Sequence, residues 1–308
     1  MQARTLRIGT RGSPLALAQA HEVRARLSAA HGLSEEAIEI RVYKTTGDAI
    51  QDRPLAEVGG KGLFTKEIEE ALIAREIDLA VHSMKDMQTE LPAGLVIGAA
   101  LPREDVRDAF ISLKYASLAD LPEGAVVGTS SLRRQAQVKR IRPDLKVVGF
   151  RGNVQTRLRK LSEGVADATL LACAGLNRLG MADRITAPIE TDQILPAVAQ
   201  GAIAIEIRED DAEVAKLVAA LNDPKTAYCV AAERAFLTRL EGSCRTPIAG
   251  LAQLNGDTLS FRGMVFSVDG ERSFEIERDG PAGQAAALGT AAADALLELG
   301  AASLLAPG

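Results

Sequence analysis

The order of apolar and polar residues predicts alternating strands and helices over residues 5–100. Leu6 and Ile8 alternate with polar neighbours as in a strand, and the pair Ser13–Pro14 is typical of a helix start, with a capping residue followed by proline. The helix is expected to end near Gly32. Its apolar residues recur every three or four positions, at Ala16, Ala20, Val23 and Leu27.

The same region contains two further strands and one further helix. Strict alternation predicts a half-buried strand at Ile38, Ile40 and Val42. Helical spacing then predicts a helix marked by Phe64, Ile68, Ala71 and Leu72, and a short apolar run predicts a strand at Ile77, Leu79 and Val81.

The segment from 125 to 180 repeats this alternation. It contains AVVGTSS, SLRRQAQVKRI, KVVGF, NVQTRLRKL and ATLLACA, which we interpret in turn as strand, helix, strand, helix and strand. Strands alternating with helices of this length indicate βαβ units and parallel sheet. The sequence therefore predicts α/β lobes with their active site at the carboxyl ends of the strands.

The last part of the chain has a different pattern. Asp223 and Pro224 predict a helix that runs to about Leu240, and turn signals at 255–257 and 269–270 predict antiparallel hairpins before a final helix over roughly 281–299. Stretches with Pro and Gly near 100–108 and 192–201 would cross between the lobes. We therefore expect three domains: residues 1–101 with 202–219, residues 102–201, and a smaller α+β domain over 220–308.

The charge of the 308-residue chain is mildly acidic. Its 36 Lys+Arg residues against 41 Asp+Glu residues give a net charge of −5, which argues against a general nucleic-acid or membrane binder. Aromatic residues make up 3% of the chain and Trp is absent, so stacking platforms for bases are disfavoured. The N-terminus lacks the continuous apolar run of a signal peptide, and we expect a cytoplasmic protein.

The basic residues are concentrated in one window. Residues 126–180 contain eleven basic residues and three acidic ones, a net charge of +8, so the remainder of the chain carries −13. An arginine at a strand-to-helix junction would add a planar guanidinium group, which can donate two parallel hydrogen bonds to a carboxylate or phosphate, to the anion-binding end of the helix. This placement predicts a small polyanionic ligand for Arg11, Arg133, Arg134, Arg151 and Arg157, whereas solvated helix faces are the simpler interpretation for Arg140, Arg142, Arg159 and Lys160.

Two other stretches are candidates for chemistry. The string HSMKD ends an apolar strand. Two interpretations of Asp86 are open: an acid–base or electrostatic role in an active site, and an ion pair on the surface. The glycines around Lys61 lack the spacing of a phosphate-binding P-loop. The remaining functional interpretation is a mobile glycine-rich loop that carries this lysine.

Three cysteines without any CxxC pair predict neither a disulfide framework nor a zinc site. Cys244 follows a predicted helix in a loop, and neighbouring Arg245 would favour its thiolate. Cys173 and Cys229 lie in apolar segments and are expected in cores. If one thiol is functional, the sequence favours Cys244.

Nine strings resemble the porphobilinogen deaminase (hydroxymethylbilane synthase) family and occur in order from Arg7 to Gly250. They are RIGTRGSPLALAQA, TTGD, GGKGLFTKEIE, AVHSMKD, GTSSLRRQAQ, FRGNVQTRLRKL, LLACAGLNRLG, LPAVAQGAIAIE and EGSCRTPIAG. The resemblance implies two doubly wound α/β lobes like those of type II periplasmic binding proteins, with a C-terminal α+β domain that has an antiparallel sheet.

The resemblance also implies chemistry. Porphobilinogen units would be condensed, with loss of ammonia, on a dipyrromethane cofactor joined to Cys244 by a thioether, in tetrapyrrole (porphyrin and heme) biosynthesis. Asp86 would be catalytic, and no metal, nucleic acid, membrane or second subunit is implied. The resemblance assigns cofactor binding to Lys85, Ser131, Arg133, Arg134, Ser83 and Thr129. It assigns substrate binding to Arg11, Ser13, Arg151, Arg157, Arg178, Gln19, Lys61 and Phe64.

Two other classes of protein fit parts of the pattern. A two-lobed solute-binding protein for an anion would show the same lobes and crossings, but it would not explain EGSCRTP. A nucleic-acid binder could use the basic window, although the few aromatic residues and the acidic remainder disfavour it.

Overall fold

The computed structural model describes residues 5–49, 62–243 and 246–305. The strands are β1 Leu6–Arg11, β2 Ile38–Tyr43, β3 Leu79–Ser83, β4 Leu95–Ala100, β5 Asp108–Ser112, β6 Val126–Gly128, β7 Lys146–Val148, β8 Ala168–Ala172, β9 Ala187–Ile189, β10 Ile203–Arg208, β11 Ile248–Asn255, β12 Thr258–Phe266 and β13 Ser273–Pro281. The α-helices are α1 Pro14–His31, α2 Thr46–Ala49, α3 Lys66–Ile73, α4 Leu132–Ile141, α5 Val154–Ser162, α6 Cys173–Arg178, α7 Ala212–Ala219, α8 Pro224–Arg239, α9 Ala285–Glu298 and α10 Ala302–Leu305.

Contacts divide the chain into two compact units. The first unit is Met1–Glu104 with Ala202–Ala227, and the second is Asp105–Gly201 with Tyr228–Gly308. The predicted division into three domains stays a prediction, although each predicted domain contains one of the sheets described below. Among the residues that the structure describes, no helix combines the length and apolarity needed to cross a membrane.

The first unit is built on a five-stranded sheet in the order β2-β1-β3-β10-β4. β1 is parallel to β2 and β3, whereas β10 is antiparallel to β3 and β4. One face of the sheet packs on α1 and α7, with Val23, Leu27 and Val218 fully buried. The opposite face packs on α3 through Ile68 and Leu72.

The second unit contains two sheets. Its five-stranded sheet has the order β7-β6-β8-β5-β9, with β6 parallel to both neighbours and β5 antiparallel to both of its own. The three-stranded antiparallel sheet β11-β12-β13 packs on α8 and α9 to form a separate core. This core includes Phe236 of α8, Phe261 of β12 and Leu296 of α9. The predicted fold class, α/β with a C-terminal α+β part, is confirmed.

The caps of α1 show how local sequence sets its ends. Ser13 precedes the helix, and its hydroxyl accepts a hydrogen bond from the Ala16 N–H at 3.3 Å. Gly32 ends the helix with φ of 64°, a left-handed conformation that glycine adopts without strain. Both predicted ends are confirmed, and so is burial of the predicted apolar face.

Some local predictions were wrong. Both five-stranded sheets are mixed rather than parallel, because each contains an internal antiparallel strand. Val42 is 56% exposed, since β2 is an edge strand of its sheet. Phe64 precedes α3 instead of lying within it, and Cys173 is the first residue of α6, not the end of β8.

Candidate active site

Asp86 of the first unit follows the carboxyl end of β3, as predicted. The strand ends at Ser83, and a single 3-10 turn, Met84–Asp86, redirects the chain. The Met84 N–H ties this turn to the neighbouring segment by donating to the Ala202 carbonyl at 3.0 Å. The turn also carries the half-buried Lys85. Because the Asp86 side chain is 37% exposed, its carboxylate is accessible to a ligand.

Arg11, the last residue of β1, is contacted on three sides. Its Nε donates to Asp48 Oδ2 at 3.1 Å, and its Nη2 donates to the other carboxylate oxygen of Asp48. The guanidinium lies over the Phe64 ring, 4.3 Å from the ring centroid. Its Nη1 lies 4.0 Å from Asp86 Oδ2. A cation therefore lies beside the predicted catalytic carboxylate, and one edge of its fork is occupied by Asp48.

Asp48 is a carboxylate in a partly buried setting. Burial by itself would raise the pKa of Asp48, but the hydrogen bonds and charge of Arg11 and the hydrogen bond from Thr45 Oγ1 at 2.8 Å outweigh burial. The pKa of Asp48 is therefore held below its usual range. Asp48 stays ionised and fixes the orientation of the Arg11 guanidinium.

A small pocket of about 50 Å³ lies at this end of the first unit. Inside its wall, Gln19 Nε2 and Ser83 Oγ are hydrogen-bonded at 2.8 Å, which joins α1 to the end of β3. The pocket brings together six residues that the resemblance assigned to the site: Arg11, Ser13, Gln19, Phe64, Ser83 and Asp86.

The second unit carries its candidate residues at the N-terminus of α4. Thr129 donates its N–H to the Val148 carbonyl at 3.0 Å, and its Oγ1 accepts from the Ser131 N–H at 3.2 Å. Ser131 caps the helix, because its Oγ accepts from the Arg134 N–H at 3.4 Å. The positive end of the helix dipole is thus at the predicted anion-binding position.

The side chains of Arg133 and Arg134 share one buried carboxylate, that of Asp108. Arg133 Nη2 donates to Asp108 Oδ2 at 2.8 Å, and Arg134 Nη2 donates to Oδ1 at 2.7 Å. Each Nη1 donates to a backbone carbonyl, of Leu195 and Leu170 respectively. Within the described residues, the buried Nε of each arginine has no hydrogen-bond partner. The forks therefore already hold an internal anion, which the sequence analysis did not anticipate.

Two guanidiniums around one carboxylate leave a buried excess of positive charge. Burial alone would raise the pKa of Asp108, but the charges of Arg133 and Arg134, with hydrogen bonds from Arg134 and Gln200, hold this pKa well below its usual range. Gln200 contributes its Nε2, 2.9 Å from Oδ1. Burial also lowers the pKa of Arg133, against the opposing charge of Asp108. This electrostatic setting suits an anionic ligand.

Three further arginines follow the carboxyl ends of β7 and β8 in the second unit. Arg151 lies between β7 and α5, and the Arg157 Nε donates to the Gly152 carbonyl at 2.9 Å. Arg178 ends α6, and its Nη2 donates to the Gly201 carbonyl at 3.0 Å. Because β7, β6 and β8 are neighbours, these arginines and the α4 N-terminus lie at the same edge of the sheet.

The cysteine predictions are tested in part. Cys173 and Cys229 are buried in cores, as predicted, and burial raises the pKa of the Cys173 thiol to about 12. Cys244, together with Arg245, lies outside the residues that the structure describes, and so does Lys61. Their proposed roles stay predictions.

Sequence reasoning missed the acidic partners of the arginines. Asp108 begins the apolar string DAFIS, and a carboxylate at the start of a buried strand needs a cation or several donors close by. That signal could have indicated a buried ion pair, although not with which arginines. Asp48 lies in TTGD, which was used only for the resemblance.

Comparison with known proteins identifies the family. A family profile described as porphobilinogen deaminase, dipyromethane cofactor binding domain, matches residues 6–216, and one described as porphobilinogen deaminase, C-terminal domain, matches residues 227–298. The porphobilinogen deaminase of Paracoccus denitrificans (strain Pd 1222) is 62% identical over 291 residues, which cover 94% of this chain and 93% of the relative.

Two further similarities were found. The porphobilinogen deaminase of Nitrobacter winogradskyi is also 62% identical, over 94% of this chain and 92% of the relative. Among solved structures, an ABC transporter periplasmic substrate-binding protein from Coxiella burnetii is 17% identical with a TM-score of 0.44, and the match covers 72% of this chain and 94% of that one. On the family profiles and the curated relatives, the chain belongs to the porphobilinogen deaminase family.

Proposed function

We propose that this chain is a hydroxymethylbilane synthase, a transferase that condenses four porphobilinogen molecules head to tail on a covalently bound dipyrromethane. Hydrolysis then releases the linear tetrapyrrole, hydroxymethylbilane. The match to both porphobilinogen deaminase profiles carries the proposal. The accessible carboxylate of Asp86, 4.0 Å from the Arg11 cation at a strand end, supports it from the structure.

Asp86 is suited to the charge that develops in each condensation. The carbon–nitrogen bond of porphobilinogen breaks and ammonia leaves, so that a methylene-pyrrolenine cation remains. A ring carbon of the preceding pyrrole attacks the methylene carbon of this cation and forms the new carbon–carbon bond. The same ring carbon then loses its hydrogen as a proton. A carboxylate beside the substrate can stabilise the cation and assist the proton transfers. Arg11 places a positive charge 4.0 Å from the Asp86 carboxylate.

The residues present fit a dipyrromethane cofactor, because that group carries carboxylates and the second unit offers a buried excess of positive charge. We propose that Ser131, Thr129, Arg133 and Arg134 hold it through the N–H groups of the α4 N-terminus and through the positive charge of the two buried guanidiniums, whose hydrogen bonds go to Asp108 and to backbone carbonyls. Lys85 and Ser83 are also proposed to bind it. When bound, the cofactor supplies the pyrrole on which the chain is extended. Cys244 is proposed to carry it, since a soft thiolate is a good nucleophile toward an electrophilic methylene carbon.

Each added pyrrole brings two carboxylates, and arginines are suited to them. We propose that Arg11, Arg151, Arg157 and Arg178, with Ser13, Gln19, Lys61 and Phe64, bind the substrate and the growing chain. A guanidinium fork can hold a carboxylate with two hydrogen bonds and stays charged. We also propose a cytoplasmic monomer without nucleic-acid or membrane partners, in keeping with the acidic net charge.

The intact mass of the purified active chain tests the proposal. We expect an excess over the sequence mass equal to two condensed porphobilinogen units, because the cofactor is proposed to be made from two of them. The excess should be absent from Cys244→Ala and retained in Cys173→Ala, whose thiol is buried in a core. Active protein with an unmodified mass would contradict the proposed function.

Arg151→Lys should slow chain elongation by about tenfold or more, because lysine keeps the charge but loses the fork, and one charge-assisted hydrogen bond contributes about 1.5–3 kcal/mol. The measurement is the rate at which successive enzyme–substrate complexes form, followed by mass spectrometry. Arg159→Lys is the matched control: Arg159 lies on α5 with a side chain 67% exposed. Equal rates for the two variants would remove Arg151 from the proposed binding set.

A further inference from the structure

Three ionisable side chains that the proposed chemistry does not use lie together behind the pocket of the first unit. His82 on β3 is paired with Ala204 on β10, and Ala80 is paired with Glu206, so His82 and Glu206 lie on one face of the sheet. Their side chains meet with 3.0 Å between His82 Nε2 and Glu206 Oε2. Both are buried, with exposures of 3% and 0%.

The third member comes from α3, which covers that face of the sheet. Glu69 is 3% exposed, on a helix whose Ile68 and Leu72 are fully buried. Within the described part of the chain, the buried Oε1 of Glu69 and the buried Oε1 of Glu206 have no hydrogen-bond partner. Two buried carboxyl groups and one buried imidazole therefore lie between α3 and the sheet.

The surroundings of Glu69 favour a proton on its carboxyl group. Burial raises the pKa of the Glu69 carboxyl, and the charges of Glu206 on β10 and Glu67 on α3 raise it further, while the Thr65 hydroxyl and His82 oppose the rise. Two ionised carboxylates, from Glu69 and Glu206, would repel each other in this buried space. A proton on Glu69 removes one of these two negative charges.

The cluster adjoins the candidate active site. His82 lines the same pocket as Ser83 and Asp86, and it lies on the strand whose end starts the Met84–Asp86 turn. Thr65, at the start of α3, lines the pocket as well. A change in the packing of α3 against β3 would therefore reach the position of Asp86.

We propose that Glu69, His82 and Glu206 form a buried proton-holding cluster that positions the end of β3, and with it Asp86, for the reaction proposed above. With a proton on Glu69, the repulsion between the two carboxyl groups is removed and α3 packs closely on the sheet. When Glu69 loses its proton, two carboxylates face each other from α3 and β10 and repel. Since the pKa of Glu69 is raised, this contribution is present at low pH and is lost as pH rises through the pKa of folded Glu69. All three are positioning residues.

The test is the pH dependence of kcat for Glu69→Gln, whose amide has the shape of a protonated carboxyl group but cannot ionise. We expect the alkaline fall in kcat to move upward by about one pH unit or more, with kcat at the optimum changed less than about threefold. Glu70→Gln on the same helix, where the side chain is 62% exposed, should keep the wild-type profile. A Glu69→Gln profile that superimposes on wild type would overturn the proposal.

A second measurement does not depend on catalysis. The infrared carbonyl stretch of a protonated carboxyl group should be present in the wild-type chain at the pH of maximal kcat, and should be lost from Glu69→Gln. If that variant does not fold, the wild-type band decides: its absence overturns the proposal, and its disappearance with rising pH supports it. This band is measured without substrate, so it tests the proposed proton on Glu69 independently of the reaction. The intact mass tests the proposed function, and the two proposals can therefore fail separately.

Discussion

Asp86→Asn should lower the turnover of porphobilinogen by about 10²–10⁴-fold while leaving the covalent cofactor in place. Asparagine has nearly the same shape as aspartate, but it carries no negative charge for the developing cation and cannot take up the proton that is lost. The 3-10 turn should be kept, because its link to the neighbouring segment is made by the Met84 backbone N–H and not by the Asp86 side chain. The measurement is kcat at saturating substrate, with the intact mass recorded on the same sample.

The control for this substitution is Asp210→Asn. Asp210 lies in the first unit, is paired with Arg75 and has a side chain that is 67% exposed. Because its charge is solvated, removing that charge should have little effect on turnover. We expect kcat within about twofold of wild type for the control. A similar rate for Asp86→Asn, with the cofactor present, would exclude Asp86 from the chemistry.

Asp108→Asn should lower the free energy of unfolding by about 3–5 kcal/mol, because it leaves two buried guanidiniums without their anion. The Asp108 carboxylate is fully buried, and both of its oxygens accept hydrogen bonds from the arginines. An amide at this position has only one acceptor oxygen, and its NH₂ group would face a cation. The change is measured as the shift in the urea midpoint at constant slope, on chain without bound cofactor.

The pH dependence distinguishes this effect from a loss of packing. The pKa of folded Asp108 is depressed, so the stabilisation is present above the ordinary aspartate range and is lost as pH falls through the folded pKa. The difference between wild type and Asp108→Asn should therefore narrow as the solution is made more acidic than about pH 4. Asp183→Asn, with a side chain 75% exposed, should match wild type at every pH. A constant difference between Asp108→Asn and wild type would show that charge is not the cause.

The elements that local sequence determines were predicted well. Ser13, Ser131 and Asn153 each cap the helix they were expected to start, since a cap needs only a side-chain oxygen and N–H groups two or three residues away. The two turn signals near 256 and 270 join the antiparallel strands β11, β12 and β13 as expected. In these cases the interacting groups are neighbours in sequence.

Long-range pairings were not predictable in the same way. β10 lies between β3 and β4 although more than 100 residues separate it from them along the chain, and apolar periodicity carries no information about strand direction. Arg133 and Arg134 were predicted to bind an anionic ligand because of their place on α4, whereas the structure pairs both with the Asp108 carboxylate at the start of β5. The sequence therefore indicated which residue types lie at the strand ends, but not which of them form hydrogen-bonded ion pairs with one another.

The position of β10 in the first sheet has a consequence for synthesis on the ribosome. Within that sheet, β4 is an edge strand and is joined to the others only by β10. Roughly 100 residues lie between these two strands, so at about 5–20 residues per second β4 is without its neighbour for about 5–20 s. All five strands of the larger sheet in the second unit are made in that interval. The part of the chain translated first is thus the later of the two to complete its sheet, and its unpaired strand edges are exposed in the nascent protein.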